Sequence, residues 1–128
     1  EVQLDPATQE RRDRVLAALE AGRAQPPGPG DLATSLGLRP GQVQEMLRLL
    51  VDQGAAVHVG GELFLGGEAH AAIRAEVIAN CERNGELSIP ELRDAVGTTR
   101  KFLIPILEAF DTEGLTQRRG NTRVLRAR

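Results

Sequence analysis

A chain of 128 residues has room for one ordinary domain or for two very small ones. Apolar residues make up 41% and charged residues 27%, which excludes a disordered chain, and the apolar runs fall short of the roughly 18 residues that a membrane helix needs. With no signal segment at its start and a single cysteine, Cys81, we expect a cytoplasmic protein that makes no internal disulfide, holds no metal or cofactor and does not bind membranes.

Three helices and a β-hairpin are predicted in the first half of the chain. Asp5 and Pro6 are typical of a helix start, and a loop rich in proline and glycine separates the first helix from the second. In chain order the elements are a helix from Asp5 to about Ala21, the loop at 22–30, helices over 31–36 and 40–53, and a hairpin that turns at Gly60 and Gly61.

The second half predicts the same succession, beginning with a helix that starts near Glu68 and ends near Gly85. Ser88 and Glu91 then form a capping-box pattern, in which the Ser88 hydroxyl accepts from the Glu91 N–H while the Glu91 side chain accepts from the Ser88 N–H. A short helix comes next and is ended by Gly97.

A third helix begins after Thr98 and Thr99, either of which can cap it, and ends at Gly114. Its apolar residues recur at i, i+3, i+4 and i+7, a spacing that indicates a buried stripe. They are Leu103, Ile106, Leu107 and Phe110. Pro105 lies inside this helix and predicts a kink, because its ring crowds the carbonyl of Lys101.

Beyond Gly114 the pattern alternates with period two and turns tightly at Gly120 and Asn121, which predicts a second hairpin. A shift of the chain by 60 residues aligns this half with the first, including Leu36-Gly37 with Val96-Gly97. The chain therefore contains two copies of one structural unit.

Helices that precede a two-stranded wing form the winged-helix arrangement. The sequence therefore predicts a mainly α fold with small β-hairpin wings, built as tandem winged-helix (helix-turn-helix) domains. The first unit covers residues 1–66 and the second covers 67–128. Because a unit of this size buries only a modest core, we expect the two to share a contact or a rigid junction.

Charge is unevenly divided between the two units. The first holds six basic and nine acidic residues, a formal charge of −3, whereas the second holds ten basic and nine acidic residues, a formal +1. From Leu115 to the C-terminus there are five arginines and no acid, and the third helix of the second unit opens with Arg100 and Lys101. The first wing, over 56–65, carries Glu62 and no arginine.

This charge distribution indicates a site for phosphate. Arginine donates two parallel hydrogen bonds to an anion, and a helix N-terminus adds unpaired N–H groups and partial positive charge. Residues 98–101 are therefore predicted to bind an anion beside the arginine-rich wing. We find no catalytic constellation and interpret Glu108, Asp111 and Glu113 as the solvated face of the third helix.

The kind of nucleic acid is indicated by the residues after Lys101. The next six residues are apolar, so little of this helix can read base edges in a DNA groove, and three phenylalanines are too few for a sheet-surface RNA reader. The pattern favours contact with an RNA backbone and with one or two exposed bases at a loop or bulge.

The stretch from Glu91 to Leu125 resembles the last winged-helix domain of the bacterial selenocysteine-specific elongation factors. The first unit resembles the preceding winged-helix domain of that family. The second-unit resemblance lies in Leu92-Arg93-Asp94 before the Gly-Thr turn, in Arg100-Lys101, in Leu107-Glu108 and Phe110-Asp111, and in the wing residues Thr116, Arg118, Arg119, Gly120, Asn121 and Arg123.

The resemblance implies that this chain is a fragment, since in that family an N-terminal GTPase body carries selenocysteyl-tRNA. The last winged helix of the family grips the mRNA hairpin, the SECIS element, that recodes a UGA stop codon on the ribosome. This chain alone would bind RNA and not be an enzyme. The implied RNA-contact residues are Thr99, Arg100, Lys101, Arg118, Arg119, Asn121 and Arg123.

Two other functions remain open on the sequence alone. The fold equally suits a winged-helix DNA-binding transcriptional regulator. Such proteins normally dimerise on a two-fold site, which two unequal units fit poorly, so we expect a monomer. The acidic, arginine-poor first wing suits a winged-helix scaffold that binds protein.

Overall fold

The computed structural model describes residues 3–126. Within that range each half of the chain folds into three helices and one antiparallel two-stranded hairpin, so the predicted fold class is confirmed. The elements are α1 (Pro6–Gly22), α2 (Pro29–Leu36), α3 (Pro40–Asp52), β1 (Ala56–Gly60), β2 (Leu63–Gly66), α4 (Gly67–Asn84), α5 (Ile89–Val96), α6 (Arg100–Glu113), β3 (Thr116–Arg119) and β4 (Thr122–Leu125). None of the helices described is both long and apolar enough to span a bilayer.

Among the helices described, α1 and α5 begin at a residue whose side chain caps the helix. The Asp5 carboxylate accepts from the Thr8 N–H at 2.9 Å, and Ser88 Oγ accepts from the Glu91 N–H at 3.4 Å. The second half of the predicted capping box is wrong. The Ser88 N–H donates instead to Oδ1 of the buried Asn80 at 2.8 Å.

Glu91 is diverted from its predicted capping role by two donors at the end of α4. Arg83 donates to Glu91 Oε1 from Nε at 2.8 Å and from Nη2 at 2.6 Å, and Asn84 Nδ2 donates to Glu91 Oε2 at 2.8 Å. The Asn84 and Arg83 hydrogen bonds lower the pKa of the Glu91 carboxyl. Glu91 therefore joins α5 to α4 and does not cap its own helix.

The apolar stripe of α6 is buried as predicted. Its residues Leu103, Ile106, Leu107 and Phe110 have relative exposures of 0–1%. The helix continues through Pro105 as one element from Arg100 to Glu113. Because continuity does not show whether the helix axis bends, the kink at Pro105 stays a prediction.

The second wing is attached to the rest of its unit by the segment between α4 and α5. The Leu87 N–H donates to the Arg123 carbonyl at 2.8 Å, and Thr122 Oγ1 donates to the Leu87 carbonyl at 3.2 Å. The two strands pair Thr116 with Leu125, Gln117 with Val124, Arg118 with Arg123 and Arg119 with Thr122. These contacts fix the wing relative to the segment between α4 and α5.

Two hydrophobic clusters divide the interior, although not at the predicted domain boundary. β2 ends at Gly66 and α4 begins at Gly67, where the sequence places the boundary. Yet Ala24 and Leu65 of the first unit belong to the cluster of the second, with Val59 and Leu63 packed against it. The expected contact between the units is present, whereas the domains 1–66 and 67–128 stay a prediction whose outer residues, 1–2 and 127–128, lie outside the described range.

A carboxylate of the first unit caps the first helix of the second. Glu20 accepts from the Glu68 N–H and the Ala69 N–H, each at 2.9 Å, and so pairs two N–H groups that have no partner within α4. A side chain at Gly66 would overlap the Glu20 carboxyl group, and one at Gly67 would lie 2.9 Å from the Ala55 carbonyl oxygen. A side chain at Gly66 would therefore displace the Glu20 cap, and one at Gly67 would crowd the backbone.

Replacing Glu20 with alanine is expected to destabilise the chain by about 0.5–2 kcal/mol, the usual effect of losing a helix cap. Urea unfolding followed by circular dichroism measures the change. Glu10→Ala, at an exposed position of the same helix, is the matched control and should change stability by less than about 0.5 kcal/mol. Equal stability of the two variants would show that the Glu20 cap does not stabilise the junction.

Candidate nucleic-acid interface

The first cationic cluster lies at the N-terminus of α6. Thr99 is the N-cap residue and is exposed, as are Arg100 and Lys101. Among the described residues the Thr99 side chain makes no capping hydrogen bond, so the unpaired N–H groups of the first turn face outward beside two cations. This arrangement is suited to an anion.

Thr98 does not belong to this surface, contrary to the prediction that residues 98–101 bind an anion together. Its residue exposure is 8%, and its hydroxyl donates to the Ala24 carbonyl at 2.8 Å. The helix end is therefore built from Thr99, Arg100 and Lys101.

Beyond the first turn, most of α6 is covered. One side packs on the core of the second unit, and another faces the first unit. Phe102 and Pro105 line a groove with the loop between α1 and α2 and with the tip of the first wing, and Ala109 lines a second groove with Val57 and Val59 of β1. The rest of the helix surface carries Glu108 and Thr112, both exposed.

This division of the α6 surface into a core side, a side facing the first unit and an open side limits how the helix can bind nucleic acid. A recognition helix in a DNA major groove needs several polar side chains along its length. Here the first wing occupies one side, and Glu108 places an acid on the open side. Only the first turn of α6 presents cations.

The second cationic cluster lies on the second wing. Arg118, Arg119 and Asn121 are exposed, and the strands turn at Gly120, whose φ of 63° favours glycine. Because successive strand residues point to opposite faces, Arg118 and Arg119 project from opposite faces of the hairpin. Arg128, the last of the five arginines, lies outside the described residues.

Arg123 occupies a different environment from the other predicted contact residues. Its side chain is 6% exposed, and its Nε donates to Asp111 at 3.0 Å and 3.2 Å from the two carboxylate oxygens. The same carboxylate accepts from Thr116 Oγ1 at 2.6 Å. The ion pair leaves Arg123 little surface for an RNA contact and instead ties β4 to α6.

Asp111 therefore does not lie on the solvated face of α6, and that prediction is wrong for this residue. Its side chain is 22% exposed, because the wing folds back over the last turn of the helix. The burial of Asp111 could not be predicted from its sequence position, since an acid near a helix end is more often solvated.

The base of the second wing lies at the C-terminal end of α6. The wing attaches at Asp111, eleven residues after Arg100, or about 16 Å along the axis at about 1.5 Å per residue. That the tip of the wing lies beside the helix N-terminus stays a prediction. Five cations are exposed between Arg100 and the end of the described range: Arg100 and Lys101 at the start of α6, Arg118 and Arg119 on β3, and Arg126 after β4.

The corresponding surface of the first unit has a different chemistry. The Arg39 N–H at the start of α3 is capped by Gln42 Oε1 at 3.0 Å, and His58 of the first wing stacks on Phe64 with ring centroids 4.4 Å apart. With Glu62 at its tip and no arginine, the first wing offers no cationic group to pair with a phosphate.

Comparison with known proteins gives matches of three kinds. Residues 79–125 match the family model described as "Elongation factor SelB, winged helix". The chain is 37% identical over 92 residues to the selenocysteine-specific elongation factor of Desulfomicrobium baculatum, an alignment that covers 72% of this chain and 14% of that protein. The chain thus spans about a seventh of the length of this relative.

Two solved structures share the fold. The mRNA-binding domain of elongation factor SelB from E. coli, in complex with SECIS RNA, matches with a TM-score of 0.81 and 24% identity over 97% of this chain and all of that one. A bacterial selenocysteine-specific elongation factor, EF-Sec, matches with a TM-score of 0.74 and 23% identity over 98% of this chain and 20% of that one.

The family match covers α5, α6 and both strands of the second wing, the elements that carry the two cationic clusters. The resemblance inferred from residues 91–125 is thereby confirmed. Through residues 79–125 this chain belongs to the winged-helix family of elongation factor SelB.

Proposed function

We propose that this chain is an RNA-binding module and the C-terminal part of a selenocysteine-specific elongation factor, and that it binds the SECIS hairpin of an mRNA. The observation that carries the proposal is the pair of exposed cationic clusters, one at the start of α6 and one on the second wing, in a family whose E. coli member has an mRNA-binding domain of the same fold. The whole factor would use a GTPase body, which these residues do not include, to deliver its cargo to the ribosome in the cytoplasm. The module itself would act as a monomer and without catalysis.

Phosphate contact would carry most of the affinity. The open N–H groups of the first turn of α6, with Arg100 and Lys101, would hold one stretch of RNA backbone, and Arg118 and Arg119 would contact phosphates on the two faces of the wing. A ligand that engages both clusters must present phosphates at more than one place. A folded hairpin meets this requirement with its two strands.

Recognition of single bases would fall to polar groups inside these clusters. Asn121 at the tip of the wing presents both a donor and an acceptor, and the Thr99 hydroxyl does the same at the helix end. RNA sequence is usually read at loops and bulges, where bases are unstacked. Both residues are exposed at the edges of the cationic clusters.

A DNA-binding regulator fits the structure less well. The first wing and the loop between α1 and α2 lie against α6 along the side that contains Phe102 and Pro105. If α6 were inserted far enough into the groove of a duplex to contact several bases, the duplex would collide with these elements. The arrangement favours a ligand that contacts only the ends of the helix.

The wing arginines are expected to be necessary for hairpin binding. The double variant Arg118→Ala/Arg119→Ala should weaken affinity for a SECIS hairpin about tenfold or more, since a hydrogen bond to a charged group contributes roughly 1.5–3 kcal/mol. The slope of log K against log salt should become shallower by about 1.4–1.8, because each phosphate contact contributes about 0.7–0.9. Fluorescence anisotropy at several salt concentrations measures both quantities.

The matched control removes the same charge from the third helix of the first unit. Arg39→Ala/Arg48→Ala should leave affinity within about threefold, because the remaining effect is long-range and screened by salt. If both double variants weaken binding equally, the wing is not the RNA contact and the proposed function loses its main support.

Arg123 is expected to act on stability. Arg123→Met should destabilise the chain by about 1–3 kcal/mol in urea unfolding, because it leaves the partly buried Asp111 carboxylate without its cation. Adding Asp111→Asn should recover part of that loss. An Arg123→Met chain with unchanged stability and the RNA affinity of an Arg118 variant would instead make Arg123 a contact residue.

A further inference from the structure

The loop between α1 and α2 reaches across to the second unit at the turn that precedes α6. Thr98 Oγ1 donates to the Ala24 carbonyl at 2.8 Å, and Gln25 Nε2 donates to the Gly97 carbonyl at 3.0 Å. The two partners in each pair are more than 70 residues apart in sequence. Both contacts end on the turn that carries the first cationic cluster.

The contact is partly buried, with apolar packing beneath the hydrogen bonds. Ala24 is 1% exposed and belongs to the hydrophobic cluster of the second unit, and Thr98 is 8% exposed. A hydrogen bond between buried groups is costly to break, because both polar atoms then lose a partner away from water. The turn before α6 is therefore held more firmly than an exposed turn of the same sequence.

The loop itself has a strained backbone. Arg23 has φ 53° and ψ −116°, a conformation that L-residues rarely adopt, while its N–H donates to the Glu20 carbonyl at 3.1 Å. Such strain persists where the surrounding structure determines the conformation, and it often accompanies function. Here α1 is fixed on one side by the cap that Glu20 gives to α4 and on the other by the Ala24 and Gln25 contacts.

The first turn of α6 is the part of this helix that its own hydrophobic core does not hold. The first fully buried residue of α6 is Leu103, so Thr99, Arg100 and Lys101 lie outside the packed region. Gly97 adopts a left-handed conformation with φ 67° and connects these residues to α5. The direction of the first turn depends on how residues 97 and 98 are held.

We propose that residues 23–25 of the first unit form a brace that positions the RNA-binding end of α6, with Thr98 as the positioning residue that receives it. The inference rests on the proposed function, because it assigns the brace a role in RNA binding. The first unit then contributes to RNA affinity without contacting RNA. Loss of the brace would misplace Arg100 and Lys101 and leave the wing cluster unchanged.

The test is a double-mutant cycle read by hairpin affinity. Thr98→Val removes the hydroxyl with little change in shape, and Thr98→Ser keeps it. Each is measured in the wild-type chain and in an Arg100→Ala/Lys101→Ala chain. We expect Thr98→Val to weaken binding roughly threefold or more in the wild-type background and by less than about 1.5-fold in the Ala/Ala background, with Thr98→Ser close to wild type in both.

A structural role alone predicts a different pattern. If Thr98→Val weakens binding by the same factor in both backgrounds, Thr98 merely stabilises the fold and the brace is overturned. If Arg100→Ala/Lys101→Ala does not weaken binding, the helix end is not an RNA contact, which overturns the brace and that part of the proposed function. A wild-type chain that does not bind the hairpin overturns both proposals.

Gln25→Ala provides a second route to the same result. Gln25 is exposed, so the variant is expected to fold even if Thr98→Val does not. If the brace exists, the effect of Gln25→Ala on hairpin affinity is also lost in the Arg100→Ala/Lys101→Ala chain. An additive effect of Gln25→Ala, or none at all in the wild-type background, counts against the brace.

Discussion

Ala24 and Leu65 of the first unit complete the hydrophobic core around α6, and the geometry of the proposed RNA-binding surface depends on this packing. A unit of about 60 residues buries little apolar surface by itself, so the second unit gains stability from these additional side chains. Because Glu20 also caps α4, the two units are joined by apolar packing and by hydrogen bonds across the junction. The two units are therefore expected to behave as one rigid body.

This packing explains why α6 presents cations only in its first turn. One side of the helix lies on its own core, and a second side lies against the first wing. The third side carries Glu108, which does not favour a phosphate. In the proposed function, affinity for nucleic acid then comes from Arg100 and Lys101 at the start of α6 and from the second wing.

The arginines of the second wing divide into two roles. Arg118 and Arg119 are exposed on opposite faces of the hairpin, whereas Arg123 is buried and paired with Asp111 of α6. An arginine count alone does not separate these roles. The ion pair fixes the wing against the end of α6, which keeps the exposed arginines at a set distance from the helix N-terminus.

Much of the fold could be predicted from the sequence, because the signals are local. The stripe from Leu103 to Phe110, the caps at Asp5 and Ser88 and the turn at Gly120 depend on residues a few positions apart. The errors involve competition between distant groups. Asn80 takes the Ser88 N–H from Glu91, and Asp111 turns inward because the wing folds over it.

The sequence predicted the exposed cations of the candidate site, whereas the internal contacts of Arg123 and Thr98 could not be predicted from it. Arg100, Lys101, Arg118 and Arg119 are exposed, as a phosphate contact requires. The contact between Ala24 and Thr98 left no signal in the sequence, since neither residue type is unusual in its local context and the two lie 74 positions apart. Contacts of this kind require the tertiary structure.

The measurement that tests the central claim most directly is a binding titration of the wild-type chain with a SECIS hairpin from a selenoprotein mRNA. A scrambled hairpin of equal length and a duplex DNA serve as competitors, at several salt concentrations. The account predicts selective binding to the SECIS hairpin that weakens steadily with salt, because phosphate contacts supply most of the affinity. Equal or tighter binding to duplex DNA would contradict it.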